Sequence, residues 1–177
     1  VDANQGWNLN EAVASLQTLQ EIRIDLLEQP LPKWDLDGLG ELSRRTYIPI
    51  MADESLCGIR DAVSLIVKRA ASVFSYKLTK MGGVQNCRIV ESLANVYGIG
   101  NYLGCMIETS LGTAANLHFA ASMRRLEYGC ELFGPLRLRY DLTRKGIEYR
   151  SGEVLVPDQP GIGVDIDERE LQRLSRV

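Results

Sequence analysis

The sequence predicts an α/β fold, part of a TIM-type barrel of parallel strands, and three observations predict it. First, short apolar β-like runs alternate with amphipathic helix-like runs, as in a parallel sheet covered by helices. Second, a charged residue closes each strand candidate at near-constant pitch. Asp2 to Glu28 is 26 residues, Glu28 to Asp53 is 25, Asp53 to Lys77 is 24, and Lys77 to Glu131 is 54, or two units. Barrels place their chemistry on C-terminal strand ends of this kind. Third, no glycine-rich phosphate loop follows any strand, since Gly82-Gly83 is only a glycine pair. That counts against an open doubly wound sheet.

The elements follow in order. Val1-Asp2-Ala3 is the tail of a strand. Ala12, Val13, Leu16 and Leu19 share one helical face. Strand Ile24–Glu28 precedes a helix marked by Leu36, Leu39 and Leu42. Strand Ile48–Asp53 precedes one marked by Ile59, Ala62, Val63 and Ile66. Strand Ser72–Lys77 precedes one marked by Val84, Cys87, Val90 and Leu93. Strand Gly100–Met106 precedes one carrying Leu111, Ala115, His118, Ala121 and Ser122, and Tyr128–Leu132 is the last strand. Six strand ends fall short of the eight strands and roughly 250 residues of a closed barrel. The expectation is a chain that begins at the end of a third strand and is a portion of a longer one. Residues 1–145 are assigned to the barrel. Residues 146–177 form a tail, with a hairpin around Ser151-Gly152, a turn at Pro160–Gly163 and a helix through Leu174 capped by Asp167, with Glu170 completing a capping box in form.

Composition narrows the function classes. Charged residues are 24% and hydrophobic residues 45%, with 20 Lys+Arg against 23 Asp+Glu for a net charge of -3. This is a globular balance, without the basic surface of a nucleic-acid binder. No apolar run reaches the ~18–20 residues of a membrane span, and the start carries no leader pattern. Cys57, Cys87, Cys105 and Cys130 lack C-x-x-C spacing and read as buried reduced thiols of a cytoplasmic protein. The single histidine, His118, excludes a His-rich metal site and is expected in the core or an interface.

Asp2, Glu28 and Asp53 would converge at a barrel mouth. Any one of them alone would ordinarily be a helix cap or surface ion pair, but three at one pitch repel each other unless a cation or a proton intervenes. All-oxygen ligation favours Mg²⁺ or Mn²⁺ over Zn²⁺. Lys77 would face the same mouth with its pKa lowered toward neutrality, fit for proton transfer, or would snorkel to solvent or pair with a carboxylate. Lys80, beyond the strand end in a loop, is given a surface or ion-pairing role. Glu131 would bond a substrate oxygen or pair with a lysine. Glu108 precedes small residues whose helix N-terminus is a natural anion site, and its alternative is a plain N-terminal helix charge. Trp7 and Trp34, in loops, would wall the pocket or simply pack.

Val1-Asp2-Ala3-Asn4-Gln5, Leu27-Glu28-Gln29-Pro30, Met51-Ala52-Asp53-Glu54-Ser55 and Tyr76-Lys77-Leu78-Thr79-Lys80-Met81-Gly82-Gly83 resemble the enolase superfamily, and within it the muconate lactonizing enzyme (muconate cycloisomerase) subgroup. Glu131-Leu132-Phe133-Gly134-Pro135 and Pro160–Gly163 extend the resemblance along the whole chain. The resemblance implies a (β/α)₇β barrel whose N-terminal capping domain and first strands, with a K-x-K strand, precede Val1. It implies Asp2, Glu28 and Asp53 as ligands of Mg²⁺ or Mn²⁺, and Lys77 and Glu131 as catalytic residues. Asn4 and Glu54 would lie beside the ligands and Glu108 near the substrate. The implied activity is proton transfer α to a carboxylate through an enediolate, turning cis,cis-muconate into muconolactone in aromatic catabolism. The implied setting is a cytoplasmic homo-oligomer acting on a small carboxylate, with no nucleic-acid or membrane partner. The alternatives are a racemase or epimerase of dipeptides or N-acyl amino acids, an o-succinylbenzoate synthase-like dehydratase, and an inactive barrel fragment or interaction module.

Overall fold

Strands and helices alternate through the first hundred residues at the expected pitch. The structure, a computed structural model, describes residues 1–175. Arg176 and Val177, the end of the assigned tail, lie outside the described residues. The chain divides into two compact units, Val1–Tyr102 and the residues from Leu103 onward.

In the first unit the order is α1 (Leu9–Leu19), β1 (Leu27–Glu28), α2 (Leu36–Arg44), β2 (Ile50–Ala52), α3 (Ile59–Lys68), β3 (Val73–Tyr76), α4 (Leu78–Met81), α5 (Val84–Tyr97) and β4 (Gly100–Leu103), the last running to the unit's edge. The strands form one sheet in the order β1-β2-β3-β4. Leu27 pairs with Ile50, Glu28 with Met51, Met51 with Val73 and Ala52 with Phe74, all in parallel. Asp2 adds a parallel bridge to Glu28. β2 and β3 are buried at every position, as expected of strands covered on both faces.

Local chemistry sets the ends. Asn8 caps α1 in a full capping box with Glu11, worth about 0.5–2 kcal/mol. β2 stops at Ala52 because the next N–H, that of Asp53, is taken by the side chain of Gln29 at 3.0 Å. Gly82 (φ 77°) ends α4 and Gly83 (φ 106°) precedes α5. The glycine pair is therefore a turn that only residues without a Cβ adopt at low cost.

Helix faces differ in part from expectation. In α3 the core side is Ala62 and Leu65, while Val63 is exposed. In α5, Cys87, Val90 and Ala94 are buried and Val84 is exposed. Leu39, Leu42 and Leu65 are wholly buried, each contributing about 1.5–3 kcal/mol.

The second unit holds α6 (Ser110–Ser122), α7 (Gly134–Arg137), β5 (Tyr149–Arg150), β6 (Glu153–Val154) and α8 (Glu168–Leu174). The last barrel strand is reduced to one parallel bridge, Cys130 with Leu103. The buried residues of α6 are Ser110, Thr113, Ala114, Asn116, Leu117 and Phe119, not the expected face of Leu111, Ala115, Ala121 and Ser122. Polar residues share the buried side, so apolar spacing misplaced it. The hairpin turns at Ser151 (φ 49°) and Gly152 (φ 82°), the pattern of a two-residue primed turn. Asp167 caps α8, but the Glu170 side chain goes to Arg173, so no reciprocal box closes. His118 is half-buried, with its Nε2 3.2 Å from the Ile162 carbonyl. Of the four thiols, all free, only Cys87 is buried, while Cys57 and Cys130 are exposed. Among the described residues no helix is long and apolar enough to cross a membrane.

Candidate active site at the strand ends

Parallel register places the strand-end charges on one face. Asp2 stands opposite Glu28, Glu28 opposite Met51, and Met51 opposite Val73. Side chains alternate along a strand, so Asp53, two residues past Met51, and Lys77, four past Val73, lie on the face that carries Asp2 and Glu28. Glu28, Asp53 and Lys77 are 8%, 6% and 7% exposed. Asp2 is exposed.

Asp53 is the centre of this group. Its Oδ2 accepts from the Lys77 ammonium and its Oδ1 from that of Lys80. Lys80 also donates to the Asp53 backbone carbonyl at 2.6 Å. Burial alone would raise the Asp53 carboxyl, but the Lys80 charge and the bonds from both lysines hold it below its ordinary value. Burial pushes Lys77 down, but the bond and charge of Asp53, with Glu28 and Glu54 behind it, hold it above its ordinary value. Paired with Asp53, Lys77 thus lies on the opposite side of its ordinary value from the drop expected next to a metal, because the bonded carboxylate outweighs desolvation. Lys80 goes the other way: its burial dominates the attraction of Asp53, and Lys77 repels it.

Of the two roles given to Lys80 the structure shows the ion pair, on a helical lysine and not in a loop or at the surface. It sits in α4, three residues after Lys77, with its side chain 11% exposed. One helical turn returns it to Asp53, and the K-x-x-K spacing was the available signal. Asp2 is held locally: its two oxygens accept from Asn4 N at 2.9 Å and Asn4 Nδ2 at 2.7 Å. Glu54 Oε1 accepts from Gln5 Nε2 at 3.1 Å. Gln29, also missed, bonds the loops after β1 and β2 together. Among the described residues no three of His, Cys, Asp and Glu are gathered into a preformed metal cluster. Trp34 is 78% exposed and packs against little.

The second unit holds Glu108 and Glu131. Glu108 Oε2 accepts from Met106 N at 3.0 Å and Cys105 Sγ at 3.2 Å, and its Oε1 from Asn116 at 3.3 Å. Its loop contains Ile107 at φ 59°, a conformation costly for a β-branched residue. Gly134 lies against the same loop: a Cβ there would stand 2.3 Å from the Glu108 carbonyl oxygen. The α6 N-terminus already has a resident anion, because Asp141 accepts from Ser110 N at 3.0 Å and from its hydroxyl. Glu131 is exposed and edges a cavity of about 600 Å³ shared with Phe133, Leu136 and Tyr149. Tyr149 donates to the Leu132 carbonyl at 2.7 Å.

Residues 1–170 match the family described as enolase C-terminal domain-like. The chain is 39% identical over 176 residues to muconate cycloisomerase 1 of Pseudomonas putida, covering 99% of this chain and 47% of that protein. It is 39% identical over 177 residues to chloromuconate cycloisomerase of Delftia acidovorans, covering 100% of this chain and 48% of that protein. The chain therefore spans about half the length of the curated relatives it matches. The solved muconate lactonizing enzyme of Pseudomonas putida superposes with a TM-score of 0.94 at 40% identity, over 98% of this chain and 48% of that one. An L-Ala-D/L-Glu epimerase from Bacillus subtilis gives a TM-score of 0.87 at 38% identity, over 92% of this chain and 46% of that one. A parallel βα repeat with charges on its strand ends, matched over nearly its whole length in sequence and in structure, places this chain in the enolase C-terminal domain-like family, as part of the barrel of enolase-superfamily enzymes.

Proposed function

We propose that this chain carries the proton-transfer site of a metal-assisted cycloisomerase that converts cis,cis-muconate into muconolactone. The observation that carries the reading is Lys77: a buried ammonium at a strand end, on the face that also bears carboxylates from three neighbouring strands. The relatives named muconate and chloromuconate cycloisomerases support the choice of substrate.

The donor chemistry fits a hard dication. Asp2, Glu28 and Asp53 offer only carboxylate oxygens, the donors a hard dication prefers, and a cation there would take over Asp53 oxygens that Lys77 and Lys80 now hold. These three residues would hold Mg²⁺ or Mn²⁺, which when bound supplies Lewis-acid stabilisation of charge on a substrate carboxylate oxygen. The rest is the work of side chains. One carboxylate oxygen of the substrate adds across a double bond, and the electron pair moves onto the carbon α to the other carboxylate. Lys77 delivers its Nζ proton to that carbon. Lys80 steadies Asp53, while Asn4 and Glu54 fix the loops beside Asp2 and Asp53. In this reading residues 1–145 belong to the barrel and 146–177 to its C-terminal hairpin and helix, and the protein is a cytoplasmic homo-oligomer.

The epimerase reading stands second, supported by the likeness to the L-Ala-D/L-Glu epimerase. The protein carrying this chain, assayed in Mg²⁺ or Mn²⁺ with cis,cis-muconate and with a dipeptide panel, separates the two. Lactone formation is expected; dipeptide epimerisation without lactone overturns the first reading in favour of the second. Asp53→Asn is expected to weaken metal binding in titration calorimetry, and unchanged affinity would remove Asp53 from the ligand set.

A further inference from the structure

Gln29 is wholly buried and sits at φ 31°, between the strand ends that bear Asp2, Glu28 and Asp53. It makes six hydrogen bonds, and all four capacities of its side-chain amide are used. Its N–H donates to Met51 O at 2.9 Å and its carbonyl accepts from Gln5 N at 2.7 Å. Its Oε1 accepts from Asp53 N and from Ser55 N, each at 3.0 Å. Its Nε2 donates to Leu31 O at 3.0 Å and to Ser55 Oγ at 2.8 Å. Ser55 passes the chain on to Lys33 O at 3.0 Å. Gln5 runs alongside: its Oε1 accepts from Lys33 N at 3.0 Å and its Nε2 donates to Glu54.

An amide is the side chain this place requires. Two acceptances and two donations from one planar group are what Gln offers; Glu lacks the donors and Leu or Met lacks both. A buried group left unpaired is costly, so the four side-chain bonds define one arrangement of the loops.

We infer that Gln29 is a positioning residue: its saturated amide sets the spacing of the two neighbouring strand ends that carry Glu28 and Asp53, and Asp53 above all, for the cation they would hold with Asp2. The cation rests on the reading proposed above; the lacing does not. Gln29 touches neither metal nor substrate and acts through the backbone of Asp53. Loss of such a supporting partner typically weakens metal affinity about 10–100-fold.

The test uses the full chain as wild type, Gln29→Met, Ser55→Ala and Leu65→Ala, the last a core control in α3. Mn²⁺ affinity is measured by calorimetry well below each melting temperature, and protection of the Asp53 and Ser55 amides by hydrogen exchange in metal-free protein. Gln29→Met is expected to lose about 10–100-fold in affinity and the protection of both amides. Ser55→Ala is expected to lose less of each and to decide the matter should Gln29→Met not fold. Leu65→Ala should lower the melting temperature and move neither readout. Wild-type affinity in Gln29→Met with both amides still protected overturns the inference. A wild-type chain that binds no Mn²⁺ while Gln29→Met loses amide protection overturns the metal reading and leaves the lacing standing.

Discussion

Lys80 holds Asp53 at two points, its carboxylate and, at 2.6 Å, its own backbone carbonyl. A residue one turn into α4 thereby fixes both the direction of a strand-end carboxylate and the path of the chain beneath it. Lys77 takes the other carboxylate oxygen, so Asp53 has no slack.

Lys80→Met keeps the aliphatic stem and removes both bonds. Because Lys77 still pairs with Asp53, the expected loss is about 1–3 kcal/mol rather than that of a buried carboxylate left alone. Urea unfolding measures it, and a change under about 0.5 kcal/mol would place Lys80 among surface pairs of little consequence.

Lys77→Ala in the protein carrying this chain should lower turnover by about 10²–10⁴-fold, the usual contribution of a positioned acid or base. Metal affinity should survive. Turnover within about tenfold of wild type would remove Lys77 from the proton transfer.

A buried thiol and a half-buried phenol predict an alkaline limit. Burial pushes the Cys87 thiol up to about 12, against a small opposing pull from Lys80. Burial, then the Cys105, Asp141 and Cys130 charges, push Tyr149 up to about 12. In the unfolded chain these groups ionise near about 8.5 and 10. Above those values the folded state holds more protons than the unfolded one, so stability is fully present below about pH 8.5 and falls as pH rises toward 12. Unfolding monitored from pH 7 to 11 checks the slope. At pH 8 a thiol reagent should modify exposed Cys57 and Cys130 and spare Cys87 until the protein unfolds.

Asp141→Ala removes the carboxylate that accepts from Ser110 N, from the Ser110 hydroxyl and from Leu142 N at 2.7 Å. A lost helix cap of this kind costs about 0.5–2 kcal/mol. A lower melting temperature is expected, with Asp141→Asn falling less.

Much of the first unit was legible because a βα repeat writes itself twice, in apolar runs and in the charge that closes each run. The pitch placed Asp2, Glu28, Asp53 and Lys77 at consecutive strand ends, which the parallel register reproduces. It could not find Gln29, whose importance lies in where its four amide bonds go. For Lys77 the sequence offered proton transfer, snorkelling or a carboxylate pair, and could not show that Asp53 is the carboxylate bonded to it. The buried side of α6 was misread since Ser110, Thr113 and Asn116 are interior yet polar. The last strand was overdrawn: Gly129, at φ 73°, and a single bridge at Cys130 are all that pairing leaves there.

The close fit of Gly134 beneath the Glu108 backbone has a consequence for mutational surveys of this chain. A methyl group at that place must shift a segment already wound through an unfavourable Ile107. A scan by alanine would therefore score position 134 as intolerant although it carries no reactive atom. In this pair of loops, sensitivity to substitution reports shape, and chemistry has to be sought in the neighbour that the glycine lets approach.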